Sequence, residues 1–552
     1  MKTSIYLKIF LPLLALIIAC NKEPEESFDR EILVDSLWIN NMAVANNGSI
    51  TAIDYNNVNI RIKFQTRVDT TQFIRKKLFI TGGIDTTYTY HFGTERQNLY
   101  LKLPAPLEGL TTYRLLFDQG NNLGGRIYES FSVVFNTSLD ETPKFHQITD
   151  DSLLTLVQRK TFDYFWIHGH PVSGLARERY GSGDIVTSGG SGFGIMALIV
   201  GIERGFISRQ QGLERLTTMV NFLAKSSTDR FHGAFPHWMN GSTGKVIPFG
   251  TKDNGGDLVE TAFLMQGLLT AKQYFNSGPA EETALCDTIQ KLWETVEWDW
   301  YRNGGQNKLF WHWSPNYGWE INMPVQGWNE ALMVYVLAAA SPTHPVPKTV
   351  YDQGWARDGA YPMINGNSFY NVLLPLGENY GGPMFFAHYS FLGLDPRNLN
   401  DQYANYWQQN VAHARINYEY CKTNPRNYPY YGSDCWGLTA SDIPNSYSAS
   451  SPTNDKGVIA PTAAIASIPY VPEAGMDALK FFYYVLGDRM WGQYGFYDAF
   501  SLKEQWFASS YIAIDQGPIV CMIENYRTGL LWDLFMTNHD ITSGLTLLGF
   551  SY

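Results

Sequence analysis

Residues 251–275, TKDNGGDLVETAFLMQGLLTAKQYF, contain the helix from which the fold and function of this chain are inferred. From Thr261 onward the apolar residues are dense enough to predict a helix that is buried. Asp257 and Glu260 stand in its first turn, three residues apart and therefore on one face. Acidic residues suit the positive end of a helix, and their spacing resembles a capping arrangement. Taken alone, the stretch predicts a helix start with no chemical role for the two carboxylates.

The composition limits the class of protein. A chain of 552 residues exceeds one compact core, so two domains are expected. Aromatic residues make up 15% of it, which suits either a large aromatic core or the binding of sugar rings. The net charge is −11 and Lys and Arg do not cluster, so no nucleic-acid partner is expected. The cysteines lack zinc-ligand spacing, and we expect neither a metal nor a cofactor.

The N-terminus predicts export. Lys2 precedes the apolar run IYLKIFLPLLALIIAC, which ends at Cys20 and is too short for a clear membrane span. Its last four residues resemble a bacterial lipobox, and NKEPEES after it resembles the export signal of surface lipoproteins. Residues 1–20 are therefore expected to be a signal peptide and Cys20 to carry lipid. This predicts an outer-membrane lipoprotein at the cell surface or periplasmic face, with a plain signal peptide as the alternative. A disulfide between Cys421 and Cys435 is possible in that compartment.

Hydrophobic periodicity divides the rest of the chain in two. In residues 28–137 apolar residues alternate, as in FSVVFNT at 131–137, and about seven short strands predict an Ig-like β-sandwich. TSLDETPKF at 137–145 is the predicted linker. In residues 148–552 the spacing becomes helical, and Ser208 with Gln211 forms a capping-box pattern. About a dozen helices joined by long loops favour a toroid of helix hairpins. The helices are predicted at residues 152–166, 193–205, 259–275, 280–296, 329–340, 401–423, 473–486 and 511–528.

The loops of the helical region carry acidic residues among aromatic ones. Hydrolysis of a glycosidic bond needs two carboxyl groups, a proton donor and a base or nucleophile. Four stretches fit this requirement: ERYGSGDIVTSGGSGFG with Asp184, DNGGDLVETA with Asp257 and Glu260, FWHWSPNYGWEINMPVQGWNEA with Glu320 and Glu330, and YYGSDCWGLTASD with Asp434 and Asp442. A dinucleotide-binding loop and a serine-hydrolase elbow lack their structural context here.

Longer motifs resemble a known family. They are GFGIMALIVGIERGFI, DLVETAFLMQGLLTAKQYF, YGWEINMPVQGWNEALMVYVLAAASPTHPVP, GGPMFFAHYSFLGLDPR, GVIAPTAAIASIPYVPE and YIAIDQGPIVCMIENYRTGLLW. From about residue 150 to the C-terminus, the chain resembles the "putative glucoamylase"-like family of Bacteroidetes, glycoside hydrolase family 144, whose characterised members act on β-1,2-glucan. The resemblance implies an (α/α)6 barrel for residues 148–552.

The resemblance also implies roles for residues. Glu260 becomes the expected proton donor, although related domains have STIDTA where this chain has DLVETA. Asp184 matches an acidic loop position of the family and is the first choice for the base, with Asp442 and Glu330 behind it. Asp257 could raise the pKa of Glu260 by its like charge. Residues expected to contact substrate are Trp311, Trp313, Trp319, Trp328, Trp436, Glu320 and His388.

The expected function is therefore hydrolysis of β-1,2-glucan or its oligosaccharides, with inversion of the configuration at the anomeric carbon. The protein is expected to be a monomer. One alternative is an α-glucan hydrolase, which shares the fold class but needs a different pocket. An alternative of another class is a non-catalytic surface lipoprotein that binds glycan through its aromatic residues.

Overall fold

A computed structural model of the protein describes residues 30–82 and 88–552. The expected lipid-bearing Cys20 lies outside these residues. The chain divides after Asp140 into two compact units. Among the described residues, no helix combines the length and apolar character that a membrane crossing needs.

The first unit is rich in β-structure, as the alternating pattern predicts. One sheet has the strand order β2-β1-β4-β7-β6 and the other has the order β3-β11-β8-β5. Alternate residues of both sheets, such as Ile60, Leu101, Leu115 and Val133, are buried in one shared core. The strands are β1 Val34–Ile39, β2 Met42–Val44, β3 Ser49–Ile53, β4 Asn59–Phe64, β5 Leu78–Thr81, β6 Thr89–Phe92, β7 Asn98–Lys102, β8 Thr112–Phe117, β9 Gly120–Asn122, β10 Gly125–Ile127 and β11 Phe131–Thr137.

The second unit is rich in helices. They are α1 Asp150–Ile167, α2 Ser188–Glu203, α3 Arg209–Ala224, α4 Leu258–Phe275, α5 Ala280–Glu294, α6 Leu332–Ala340, α7 Lys348–Val350, α8 Tyr406–Thr423, α9 Pro461–Ile465, α10 Pro472–Lys480, α11 Gly487–Met490, α12 Ala513–Arg527, α13 Leu530–Met536 and α14 His539–Leu548. Single turns at Met384–Ala387 and Tyr389–Leu392 are 3₁₀-helical. The capping box predicted at Ser208 begins α3.

Short strand pairs lie in the loops between these helices. They are β12 Ile185–Thr187, β13 Trp238–Asn240, β14 Val246–Ile247, β15 Gly256–Asp257, β16 His312–Trp313, β17 Ser368–Phe369, β18 Val372–Leu373, β19 Ala440–Ile443, β20 Ser446–Ala449, β21 Trp491–Gly492, β22 Gly495–Phe496, β23 Phe500–Ser501 and β24 Trp506–Phe507. The pair β15–β16 places Asp257 opposite His312, directly before α4.

The most buried helical segments contact one another in succession along the chain. Helix α2 packs against both α4 and α12, and α4 also packs against α6. The N–H of Met333 in α6 donates to the hydroxyl of Ser390, and His388 lies 3.0 Å from the hydroxyl of Ser467, which follows α9. Helix α9 in turn contacts α12. A second set, α1, α5, α10 and α14, packs against α12, α4, α9 and α6 respectively. A helix that is buried on nearly all sides, such as α2 or α4, thus packs beside one with a single buried face, such as α5 or α14.

Helix α2 begins five residues before its predicted start. Residues 188–192, SGGSG, belong to the Gly/Ser stretch before the predicted helix, but they are helical and buried. The reason is close helix packing: a Cβ on Gly192 would lie 2.1 Å from the carbonyl oxygen of Phe263 in α4. Glycine is a poor helix former, but it is required where two helix backbones approach this closely.

The cysteines of the second unit are thiols. Cys286, Cys421, Cys435 and Cys521 are free and buried, so the disulfide considered for Cys421 and Cys435 is not formed. Burial raises the pKa of Cys421 and Cys435, which favours the neutral thiol.

Candidate active site

A cleft of about 460 Å³ opens where α2, α4 and several loops meet. Two of the predicted carboxyl residues, Glu260 and Glu330, line it, and so does Trp311. Other residues of the cleft wall were not singled out from the sequence: Glu178, Arg179, Thr187, His237, Trp238, Phe249, Phe385, Tyr389, Tyr447, Ile512 and Ile514.

Asp257 is the N-cap of α4. Its Oδ1 accepts hydrogen bonds from the backbone N–H groups of Val259 and Glu260, at 3.0 and 2.9 Å. Its Oδ2 accepts one from the indole N–H of Trp311 at 3.2 Å and lies 3.1 Å from Nδ1 of His237. The side chain is fully buried. Asp257 is therefore a capping residue that also orients two residues of the cleft wall.

Glu260, one turn further on, faces the cleft. Its Oε2 accepts hydrogen bonds from the backbone N–H of Gly189 at 2.8 Å and from the hydroxyl of Thr187 at 3.2 Å. A Cβ at Gly189 would lie 2.6 Å from the same oxygen, so a side chain at this position would displace the Glu260 carboxyl group. Burial raises the pKa of Glu260, and the like charge of Asp257 raises it further, while the His237 cation opposes the shift. A carboxyl group whose pKa is raised in this way is suited to act as a general acid.

His237 connects the two acidic residues. Its Nε2 lies 4.0 Å from Oε1 of Glu260, and its ring stacks on Phe249 with 4.2 Å between ring centroids. Burial lowers the pKa of His237, but the nearby Glu260 and Asp257 outweigh burial and raise it to about 9. His237 is therefore a cation at neutral pH, held between two carboxyl groups.

His237, Asp253 and Asp257 each place a potential ligand atom within 4.8 Å of the others. Both nitrogen atoms of a protonated imidazole carry hydrogen, so a metal ion at these atoms would have to displace a proton from His237. Asp253 also contacts Nε2 of His312 at 3.1 Å. Burial and the charge of Asp257 raise the pKa of Asp253 to about 7. We interpret these residues as a hydrogen-bonded charge cluster beside Glu260.

Glu330 lies at another part of the cleft wall, two residues before α6. It is 9% exposed, and burial raises its pKa to about 7, with smaller contributions from Glu260 and Asp257. Glu330 is therefore largely protonated just below neutral pH. In that state it can donate a hydrogen bond but cannot accept a proton from water.

Asp442 lies on β19, where it pairs across the hairpin with Tyr447 of the cleft wall. Nη1 of Arg179, another cleft residue, donates to both of its carboxylate oxygens at 3.1 and 3.2 Å. The hydroxyl of Ser510 donates to Oδ2 at 2.5 Å. These bonds fix the orientation of the Asp442 carboxylate beside the cleft.

Asp184 lies outside the cleft-lining residues. Its side chain is 59% exposed and its Oδ1 lies 3.1 Å from Nε2 of the buried His170. It follows Gly181 and Gly183, which both have positive φ angles and turn the chain outward. Asp184, the first choice for the base from the sequence, is therefore not among the residues that line this cleft.

The predicted aromatic contacts are divided between the cleft and the core. Trp313 and Trp319 are partly buried and pack against Trp300. The expectation of a substrate contact is corrected for Trp328, which is almost fully buried against Phe391, and for Trp436. The Trp436 side chain is fully buried and donates to the carbonyl of Ala474. Large apolar side chains are most often buried, and the sequence did not separate these from Trp311.

The two remaining predicted contacts also lie elsewhere. Glu320 is exposed and forms an ion pair with Lys252 at 2.8 Å. His388 is buried and bonded to Ser467, and burial lowers its pKa to about 3, so it is neutral. Its role in this structure is to join two helical segments.

Two short sequence signals could have identified the missed residues. FPHWMN carries His237 and Trp238, and RERY carries Glu178 and Arg179 at the start of the stretch that contains Asp184. Each has a polar residue close to an aromatic one, but neither has a pair of carboxylates.

Two acidic groups with shifted pKa values in an aromatic cleft, at the N-terminal ends of buried helices, are typical of a glycoside hydrolase. A family model described as "Putative glucoamylase" matches residues 322–539. The chain is 55% identical to a putative glucoamylase from Bacteroides uniformis, covering 74% of this chain and 99% of that one, with a TM-score of 0.72. The chain belongs to this family.

Two relatives carry named activities. A solved endo-β-1,2-glucanase from Chitinophaga pinensis is 54% identical, covers 74% of this chain and 99% of its own, and has a TM-score of 0.72. An exo β-1,2-glucooligosaccharide sophorohydrolase (non-reducing end) from Parabacteroides distasonis is 45% identical over 430 residues, which are 74% of this chain. The chain spans 59% of the length of that curated relative.

Proposed function

We propose that this protein hydrolyses β-1,2-glucan or its oligosaccharides. The observation that carries the proposal is Glu260: a carboxyl group at a cleft wall that two donors hold in place and whose pKa is raised by burial. The activities named for the similar proteins of Chitinophaga pinensis and Parabacteroides distasonis support the choice of linkage.

In the proposed mechanism Glu260 is the general acid. Its proton passes to the glycosidic oxygen as the bond from that oxygen to the anomeric carbon breaks. A water molecule attacks the anomeric carbon from the opposite face, and a carboxylate accepts the proton that the water loses. The outcome is inversion, which requires roughly 6.5–9.5 Å between the two carboxyl groups, or a longer relay through a substrate hydroxyl.

Asp442 is the proposed base. Its orientation by Arg179 and Ser510 suits a carboxylate that acts as a base, whereas burial raises the pKa of Glu330 to about 7 and leaves it partly protonated near neutral pH. Glu330 is then a donor to sugar hydroxyls. Trp311, Trp238 and Phe249 offer the apolar surfaces on which sugar rings pack.

We further propose that α2, α4, α6, the turns at 384–392, α9 and α12 are the inner ring of an (α/α)6 barrel. The contacts between consecutive members of this set support it. The cleft residues Thr187, Val259 and Ile512 stand at the N-terminal ends of α2, α4 and α12, so this ring would place the active site at one end of the barrel.

A panel of linear glucans tests the activity. Purified protein is incubated with β-1,2-glucan, β-1,3-glucan, starch and maltooligosaccharides, and the products are resolved by chromatography. We expect products from β-1,2-glucan alone. Glucose released from starch with no product from β-1,2-glucan would support the α-glucan alternative. Binding without any product would support the non-catalytic alternative, and either result would overturn the proposal.

The site of action is proposed to be the outer membrane, through lipid on Cys20. The lipobox-like end of the apolar run and the acidic NKEPEES that follows support it. In cells fed a labelled fatty acid, the Cys20→Ala variant should be unlabelled while the wild-type protein carries the label. Label on Cys20→Ala would contradict the anchor without affecting the proposed activity.

A further inference from the structure

Two buried aspartates lie behind the cleft wall and have no place in the mechanism above. Asp498 is in the loop between β22 and β23, and Asp515 is in the first turn of α12. Each is 2% exposed. Asp515 directly follows Ile514, a residue of the cleft wall, so the two carboxyl groups lie one layer behind the surface that substrate would meet.

The hydrogen bonds of this pair are incomplete unless it holds a proton. The side-chain amide of Gln516 donates to the carbonyl of Phe496 at 3.2 Å and holds the two chain segments together, and the carboxyl groups of Asp498 and Asp515 are hydrogen-bonding neighbours there. Among the described residues, no donor reaches Oδ1 of Asp498 or either oxygen of Asp515. Two ionised carboxylates cannot bond to each other, because neither has a hydrogen to donate. One proton between them supplies the donor.

The charges of the surroundings lead to the same result. Asp498, Asp515 and Asp442 form an acidic group, and Arg179 is the cation that the described contacts bring to it. Arg179 is shared with Glu178. Tyr447 and Tyr389 also face the group, and both are neutral because burial raises their pKa well above the usual value. Burial of so many carboxylates with one guanidinium is unfavourable unless one of them is protonated.

The pair is attached directly to Asp442. Oδ2 of Asp498 accepts a hydrogen bond from the backbone N–H of Asp442 at 2.7 Å. The backbone N–H of Asp498 donates to the carbonyl of Ser510, whose hydroxyl donates to the Asp442 carboxylate. Asp498 therefore holds both the backbone of Asp442 and the residue that orients its side chain.

We propose that Asp498 and Asp515 share a single proton, and that this singly protonated pair positions Asp442 at the cleft wall. In this arrangement Asp515 holds the proton and donates it to Oδ1 of Asp498. Asp498 stays an acceptor for the backbone of Asp442. The pair acts through Asp442 and does not touch substrate, so both aspartates are positioning residues, and that part of the inference rests on the proposed function.

The proton can be observed without any substrate. The infrared difference spectrum of wild-type protein minus Asp515→Asn, recorded at neutral pH, should contain the C=O stretching band of a protonated carboxylic acid. Labelling of aspartate with ¹³C should shift this band. Asp455→Asn is the matched control, because the buried Asp455 accepts hydrogen bonds from Gly457, Tyr420 and Tyr431 and has no carboxyl neighbour among these partners. That variant should keep the band. Absence of the band from the wild-type minus Asp515→Asn difference would overturn the shared proton.

Kinetics tests the positioning role. The Asp515→Asn variant keeps a donor for Asp498, and we expect its rate of hydrolysis to lie within a few-fold of the wild-type rate. The Asp515→Val variant has no donor at this position. We expect its kcat to fall by about tenfold or more with KM little changed, because a hydrogen bond to a charged group is lost. Equal kcat values for the two variants, or a change in KM alone, would overturn the positioning role.

The two parts of the proposal can fail separately from the function. If the wild-type protein does not hydrolyse any glucan, the infrared band still decides whether the proton is shared. If it does hydrolyse β-1,2-glucan, the ratio of the Asn and Val variants decides whether the pair supports Asp442. Melting temperatures of both variants, measured in parallel, separate a loss of kcat from loss of folded protein.

Discussion

At the scale of single residues, Asp257 and Glu260 show how one sequence pattern contains two roles. Both are acidic and buried at the start of α4, Asp257 as its N-cap and Glu260 in its first turn. Asp257 caps the helix, so the simpler interpretation of the stretch is correct for it. Glu260 instead accepts bonds from Gly189 and Thr187, residues about 70 positions away in the chain. Helix-start rules apply within a turn and contain no information about such partners.

Replacement of Glu260 by Gln tests its role. Gln keeps the shape of Glu but has no proton to give to the glycosidic oxygen, so hydrolysis of β-1,2-glucan should fall by at least about a hundredfold. Binding of glucan, followed by calorimetry, should persist. Glu282→Gln is the matched control, since Glu282 is also a buried glutamate of a first helix turn but pairs with Arg209 away from the cleft. Near wild-type hydrolysis by Glu260→Gln would make Glu260 a structural residue.

At the scale of elements, the sequence predicts what depends on local periodicity. Helices α3, α4 and α5 begin within two residues of the predicted positions, because a capping residue or an apolar run marks each start. Helix α8 begins five residues later than predicted, at Tyr406, because Asn405 caps it. The start of α2 was missed because its glycines are explained by the backbone of α4, not by their own propensity.

The site was predictable only in part for a related reason. The carboxyl groups of Glu260 and Glu330 were identified because acidic residues stand out among aromatic ones. Asp442 was identified in the same way, whereas Arg179 and His237 acquire a role only through contacts between loops that are distant in the chain. Density of tryptophan in a loop does not indicate exposure, and so Trp436 was predicted at the cleft although it is fully buried.

At the scale of the whole molecule, the buried acidic groups of the helical unit should make its stability depend on pH. Burial raises the pKa of Glu330 and of Asp253 to about 7, above the values of roughly 4 that such groups have in an unfolded chain. The folded state therefore binds more protons than the unfolded state between these limits. The free energy of unfolding then decreases as the pH rises, by at most about 1.4 kcal/mol per pH unit for each group.

Glu330→Gln isolates one of these contributions. Gln is neutral in both states, so the variant lacks the share of the pH dependence that Glu330 supplies between about pH 4 and 7. His237, whose pKa is raised to about 9, adds stability that is present below its unfolded value of about 6.5 and lost through pH 9. The wild-type protein should thus keep losing stability above pH 7, and Glu330→Gln should differ from it mainly in the slope below pH 7. Urea unfolding of both proteins from pH 5 to 9 measures the two slopes. Parallel curves over the whole range would mean that Glu330 is ionised in the folded protein, and Glu330 would then return as a candidate base beside Asp442.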